Sequence, residues 1–287
     1  MRNDFCVFIL CYKKPDKCKT LKALNKYGYT GDYYLVLSND DPTINRYIEL
    51  SKKYNLGFEY NEFFIPDTLD DENKISAILS EYKKLNRTMD TLHGAFFDIV
   101  LDSMDQRIQN ISYDRVKKSL EIADKLNCKG VIFHTNYITW MKDQKYRRRW
   151  IEYNKRAYLS LIEEFPNLEI YIENMFDLDP YLLRDLVKEI HHERIGVCLD
   201  FAHANLSNTS LDIWFNELKP YIKHIHINDN DGIMDSHDEI GKGSIDFKKV
   251  FEYIRKLEDK TTILIEISDY NKALNSIKYL KENGFIE

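Results

Sequence analysis

Short apolar runs separated by longer charged stretches of helical period recur along this 287-residue chain, and that alternation constrains its fold more than any other feature. Nine runs can be marked: "FCVFILCY" from residue 5, "YYLVLS" from 33, "GFEYNEFF" from 57, "MDTLHGAFF" from 89, "GVIFHTN" from 130, "LEIYIENM" from 168, "IGVCLDFAH" from 195, "IKHIHIND" from 222 and "TILIEIS" from 262. Between them lie segments such as "YDRVKKSLEIADKLN" and "DPYLLRDLVKEIHH", which carry the spacing and acidic starts of amphipathic helices. Repeated strand–helix units build a parallel α/β sheet, and eight of them close a barrel. The pattern therefore predicts a (β/α)8 TIM barrel over residues 32–287, opening on the run at Tyr33, with residues 1–31 as a short N-terminal β-α extension. An open doubly wound sheet needs a glycine-rich phosphate loop after an early strand. Neither "CYKKPDK" nor "SNDDPT" supplies one, and the whole chain holds only 10 glycines.

The residue balance narrows the class further. A hydrophobic content of 44% with 20 Tyr and 15 Phe gives material for a large aromatic core and excludes a disordered chain. The net charge of −6 offers no general attraction to a phosphate backbone, so nucleic-acid binding would depend on a local patch; the one concentrated basic run is "KDQKYRRRW" at 142–150. Five cysteines without a CxxC spacing read as reduced thiols of a cytoplasmic protein. No apolar run reaches the ~18 residues of a membrane span, and "MRNDFCVFILCYKK" lacks the cleavage site of a secretory signal.

Metal-capable side chains gather at the carboxyl ends of the predicted strands. His93, His134, Glu173, Asp200 with His203, His226 and Glu266 all stand there, and "HIHINDNDGIMDSHDEIGKGSID" at 224–246 adds Asp235 and His237 just beyond a strand. Any one of them alone reads as a satisfied polar residue. Together they converge on the face where barrel active sites lie, and burying so many charges costs several kcal/mol each unless cations pair them. Imidazole and carboxylate without thiolate suit Zn, Mn, Fe or Co rather than Mg. Cys198 reads as barrel filler, His224 as a residue one layer below His226, and His191 and His192 as solvated residues at a helix end.

The blocks "TLHGAFFDI", "VIFHTN", "IYIEN", "IGVCLDFAHAN", "HIHINDNDG", "DSHDEIGKGSIDF" and "LIEIS", in this order, resemble the xylose isomerase-like TIM-barrel superfamily, which includes sugar-phosphate isomerases/epimerases and endonuclease IV. The resemblance runs from about residue 33 to the C-terminus. It implies that Glu173, Asp200, His226 and Glu266 hold one divalent metal, and that His93, His134, His203, Asp235 and His237 match the further zinc ligands of endonuclease IV. Two departures stand out: Lys242 occupies the acidic position of the usual "LGEG", here "IGKG", and the sequence after His134 lacks the nuclease's glycine-rich pattern. The opening "FILCYKKPDKCKTLKALNKYGYTGDYYLVLSNDD" is similar to the first β-α-β of nucleotide-sugar glycosyltransferases, with no later transferase motif.

The expected function is a sugar or sugar-phosphate isomerase/epimerase using Zn or Mn, with one to three ions. Glu173 and Glu266 would form its acid/base pair, with His203, Lys242 and the segment Lys145, Tyr146, Arg147, Arg148 and Arg149 available to hydroxyl or phosphate groups. The alternative is endonuclease IV-like hydrolysis of a phosphodiester by clustered zinc ions, the one case in which nucleic acid would be a partner. A barrel that only binds a sugar or a partner is a third possibility.

Overall fold

The computed structural model describes residues 6–9, 33–35, 56–88, 90–257, 261–267 and 270–285. Its strands are β1 (Cys6–Ile9), β2 (Tyr33–Leu35), β3 (Leu56–Gly57), β4 (Glu59–Tyr60), β5 (Thr91–His93), β6 (Gly130–His134), β7 (Glu169–Glu173), β8 (Ile195–Asp200), β9 (Ile222–Ile227) and β10 (Thr262–Ile265). Each pairs parallel to its neighbours, and β4 to β10 lie side by side in chain order. Leu56–Gly57 pairs with β2 and, one residue on, Glu59–Tyr60 pairs with β5, so this single extended segment joins the two ends of the sheet. The α/β TIM-barrel expectation is met. Cys6–Ile9 pairs with β10 on one side and β2 on the other. The rest of the segment assigned to an N-terminal extension, and with it the likeness to a glycosyltransferase opening, lies outside the described residues.

The helices are α1 (Pro66–Leu69), α2 (Glu72–Lys83), α3 (Gln106–Lys125), α4 (Gln144–Glu164), α5 (Tyr181–Ile190), α6 (Phe201–Asn205), α7 (Leu211–Leu218), α8 (Phe247–Ile254) and α9 (Tyr270–Glu282). Asp71, Asp105, Asp143 and Asp246 start α2, α3, α4 and α8 by accepting a first-turn N–H, which removes one of the donors a helix start leaves unpaired. The core lies between helices and sheet, where Val116, Leu120, Trp150, Leu161, Leu183 and Leu186 join Val131, Phe133, Ile170, Ile172, Val197 and Leu199. Ile132, Tyr171 and Cys198 form a separate small cluster on the opposite strand face. Strand periodicity of two thus sends Ile170 and Ile172 to the helices, and Tyr171 and Glu173 to the barrel interior. No described helix is long and apolar enough to cross a membrane.

One buried charge ties the first described βα unit to the sheet. Asp90 accepts hydrogen bonds from Phe58 N (2.9 Å), Tyr60 Oη (2.7 Å) and Arg87 Nε (2.9 Å). Burial pushes its carboxyl pKa up, against the pull of Arg87. Asp90→Ala strands the Tyr60 hydroxyl and the Phe58 N–H without this acceptor, and is expected to cost ~3 kcal/mol in urea unfolding. A cost under ~1 kcal/mol would show that water replaces the carboxylate.

Candidate metal centre

The strands deliver the predicted side chains to one face. His93, His134, Glu173 and Asp200 end β5, β6, β7 and β8, His226 stands in β9, and Glu266 directly follows β10. His203 comes from α6, whose N-cap is Asp200 itself. Asp235 and His237 come from the loop between β9 and α8 and are half-buried; the other seven are buried.

All nine meet in three groups, each with its candidate ligand atoms within 4.8 Å of one another: His93, His134 and Glu173; Glu173, Asp200, His226 and Glu266; and His203, Asp235 and His237. Glu173 belongs to two of them. Its Oε2 lies 3.2 Å from His134 Nε2 and 3.7 Å from His93 Nε2, while its Oε1 lies 3.1 Å from His226 Nδ1. In the third group Asp235 spans its partners, with Oδ2 3.3 Å from His203 Nε2 and Oδ1 3.5 Å from His237 Nε2.

Ring orientation follows from what holds the far nitrogen. His93 Nδ1 lies 3.2 Å from Gly94 O, His203 Nδ1 2.9 Å from Asn174 O, and His237 Nδ1 2.9 Å from Glu266 O. Each backbone carbonyl accepts a hydrogen bond from Nδ1–H and so turns Nε2 toward the cluster, which is how histidine ligands are oriented. His237 reaches its place with φ 45°, in the left-handed region that non-glycine residues seldom occupy.

The electrostatics favour cations. Glu173 Oε2, Asp200 Oδ2, Asp235 Oδ1 and Glu266 Oε2 are buried oxygens with no hydrogen-bond partner. Burial drives Asp200 up to about 7; His203 pulls it down, and Glu266 and Glu173 add to the rise. Burial works against charge on His203, but Asp200, Asp235 and Glu173 hold its pKa well above the ordinary histidine value. His237 is likewise raised to about 10 by Glu266 and Asp235, against the effect of burial. This buried negative potential, which draws positive charge onto the imidazoles beside it, fits divalent cations bound by nitrogen and oxygen.

Several residues that shape the site stand outside the sequence expectation. Asn174 grips the β8 end in both directions, its Nδ2 donating to Asp200 O and its Oδ1 accepting from Asp200 N, each at 2.9 Å. Phe96 stacks on His134 with ring centroids 4.5 Å apart. Asp229, fully buried, accepts from Asn230 N, Gly241 N, Gly243 N and Ile245 N and so shapes the loop that carries Asp235 and His237. A Cβ at Gly243 would stand 2.1 Å from Asn230 O, so the close approach requires glycine there. Glu59, on β4, faces His224 and His226 in the barrel interior. Its signal in the sequence was a charge inside an apolar run.

The remaining candidates separate. His224 is buried one layer below His226, stacked on Tyr171 and bonded to Thr262 Oγ1; with Cys198 and His226 it forms a deeper convergence of ligand-type atoms. His191 is exposed and His192 half-buried at the far end of α5. Lys242 is exposed on the Asp229 loop. Arg147, Arg148 and Arg149 pair with Asp185, Glu189 and Asp102 along α4.

Comparison with known proteins agrees with this architecture. An uncharacterized protein of Methanocaldococcus jannaschii is 31% identical over 194 residues, covering 66% of this chain and 76% of that protein. Apurinic-apyrimidinic endonuclease 1 of Plasmodium berghei is 26% identical over 235 residues, covering 72% of this chain but 45% of that protein. Among solved structures, a D-tagatose 3-epimerase-like protein superposes with a TM-score of 0.66 at 23% identity, over 82% of this chain and 90% of its own, a likeness of fold. A family model described as xylose isomerase-like TIM barrel matches residues 50–283, and with the parallel barrel and its strand-end site this makes the chain a member of that family.

Proposed function

We propose that the protein is a metal-dependent hydrolase of phosphodiester bonds that uses up to three divalent cations, zinc foremost. The observation that carries this reading is the sharing of Glu173 by two ligand groups beside a third group of His203, Asp235 and His237. Proton exchange on a sugar asks for the four-residue group of Glu173, Asp200, His226 and Glu266, whereas His93, His134 and His237, gathered with further carboxylate oxygens, offer ligands for more than one cation. Cations held there would supply Lewis acidity, acidifying a water and neutralising charge that develops on phosphate oxygens. The residues do the positioning. Glu173 fixes the spacing of two groups, Asp235 stands between His203 and His237, and Phe96 stacks on the His134 ring.

The substrate is best read as a small diester. The arginines of the one basic run are spent in ion pairs, and the net charge of −6 works against a long nucleic-acid backbone. The likeness to an apurinic-apyrimidinic endonuclease supports the reaction class.

One observation favours a second reading. Glu173, Asp200, His226 and Glu266 form a complete four-residue group, in which Glu173 and Glu266 each keep an unpartnered oxygen. On a single metal these two glutamates would exchange a proton with a sugar carbon, with His203 toward the substrate, as in an epimerase.

Elemental mass spectrometry of protein purified without chelator, paired with two assays, separates the readings. About three zinc ions per chain with chelator-sensitive cleavage of bis(p-nitrophenyl) phosphate is the expected result. About one ion, with solvent-deuterium incorporation into a sugar and no diester cleavage, would replace the hydrolase by the epimerase.

A further inference from the structure

We infer that Glu59 is a positioning residue for the metal centre: its carboxylate accepts a hydrogen bond from His226 Nε2 and thereby presents His226 Nδ1 to the cation shared with Glu173, Asp200 and Glu266. This rests on metal binding by that four-residue group, which both functional readings require.

His226 is the exception among the oriented rings. Where His93, His203 and His237 rest their Nδ1 on a backbone carbonyl, His226 turns its Nδ1 to the cluster, 3.1 Å from Glu173 Oε1 and 3.5 Å from Glu266 Oε2. Its Nε2 therefore points into the barrel, toward Glu59 Oε1 at 3.6 Å. Neither His226 Nε2 nor Glu59 Oε1 has a hydrogen-bond partner elsewhere. The other Glu59 oxygen is taken, since Thr91 Oγ1 donates to Oε2 at 2.9 Å. Thr91 thus fixes the carboxylate; His224 Nε2, at 3.5 Å, faces the same Oε2, so that Oε1 is the oxygen turned to His226. The 3.6 Å separation is longer than a hydrogen bond, and a shift of roughly half an ångström by either side chain closes it. Both groups are fully buried, away from bulk solvent. A carboxylate in this role does more than a carbonyl: its charge raises the basicity of the opposite nitrogen and so strengthens the ligand.

The test is chelator-competition titration of zinc into ion-free wild-type and Glu59→Gln protein, with the visible spectrum of the cobalt-substituted forms recorded alongside. Glutamine keeps the size and an acceptor oxygen but loses the charge. One ion is expected to bind about 10–100-fold more weakly with a shifted cobalt spectrum, while any others bind as in wild type. Independently of any variant, ¹⁵N-histidine NMR of zinc-loaded wild type should show His226 metallated at Nδ1 and protonated at Nε2. Affinity within about twofold of wild type together with an unchanged spectrum, or metallation of His226 at Nε2, overturns the inference. So does loss of a whole extra ion in Glu59→Gln, which would make Glu59 a ligand in the deeper Cys198 and His224 group. Wild type that binds no zinc at all sinks the functional reading as well, whereas normal wild-type binding with an indifferent variant sinks only the role of Glu59.

Discussion

Glu173→Gln is expected to take metal content from about three ions per chain to about one, and turnover down by on the order of 10²–10³-fold or more. The carboxylate stands in two of the three ligand groups, so its neutralisation weakens two cations together. Glu266→Gln touches one group and should lose about one ion, which makes the pair a comparison within one barrel. Circular dichroism and a urea midpoint check that both variants fold. Equal losses from the two variants would show that Glu173 does not bridge.

Asp229→Ala should be the most damaging change outside the ligands. The carboxylate gathers four backbone N–H groups at 2.8–3.2 Å, and alanine leaves all four without this acceptor, those of Asn230 and Ile245 in buried residues. The expected cost is about 3–5 kcal/mol in urea unfolding, with loss of the ion assigned to His203, Asp235 and His237. Asp229→Asn keeps one acceptor oxygen and should fall between. Full retention of metal by the alanine variant would mean that the loop's other ties, among them the β-bridge between Asp229 and Asp238 and the contact of His237 Nδ1 with Glu266 O, suffice to hold it.

Acid and base should act on the ion-free and loaded forms in opposite senses. In the ion-free protein the folded pKa of His237 is raised to about 10, so its contribution to stability is complete below the ordinary value of 6.5 and fades as pH climbs toward 10. A cation needs the neutral ring, so loading releases protons across that same window and zinc affinity rises with pH. Calorimetric titration in buffers of different ionisation enthalpy reads this proton release directly. Zinc affinity that is flat between pH 6.5 and 9 would exclude these rings as ligands.

Much of this was legible in the sequence because strand residues declare themselves by alternation. His134 after "GVIF", Glu173 after "IYI" and Asp200 after "GVCL" could be placed at one barrel face without knowing a single distance. The likeness to endonuclease IV implied which of these residues gather around each ion. Whether Asp235 and His237 reach the site was another matter, because it depends on a loop path that local sequence does not encode. Lys242 shows the same limit from the other side, since its place in the loop was readable and its exposure was not. Glu59 and Asp229 were passed over for a common reason: each acts by holding other groups, and a supporting residue has no signature until its dependents are in place.

The loop held by Asp229 is also a unit of inheritance. Seven of the nine candidate ligands ride on strand ends or on α6, where a change disturbs the barrel, but Asp235 and His237 ride on one tethered excursion. Rewriting that single segment would alter how many ions the mouth carries and leave the four-residue strand group intact. The mouth can thus gain or lose one ligand group through changes confined to a loop, while both groups that share Glu173 stay fixed to the strands.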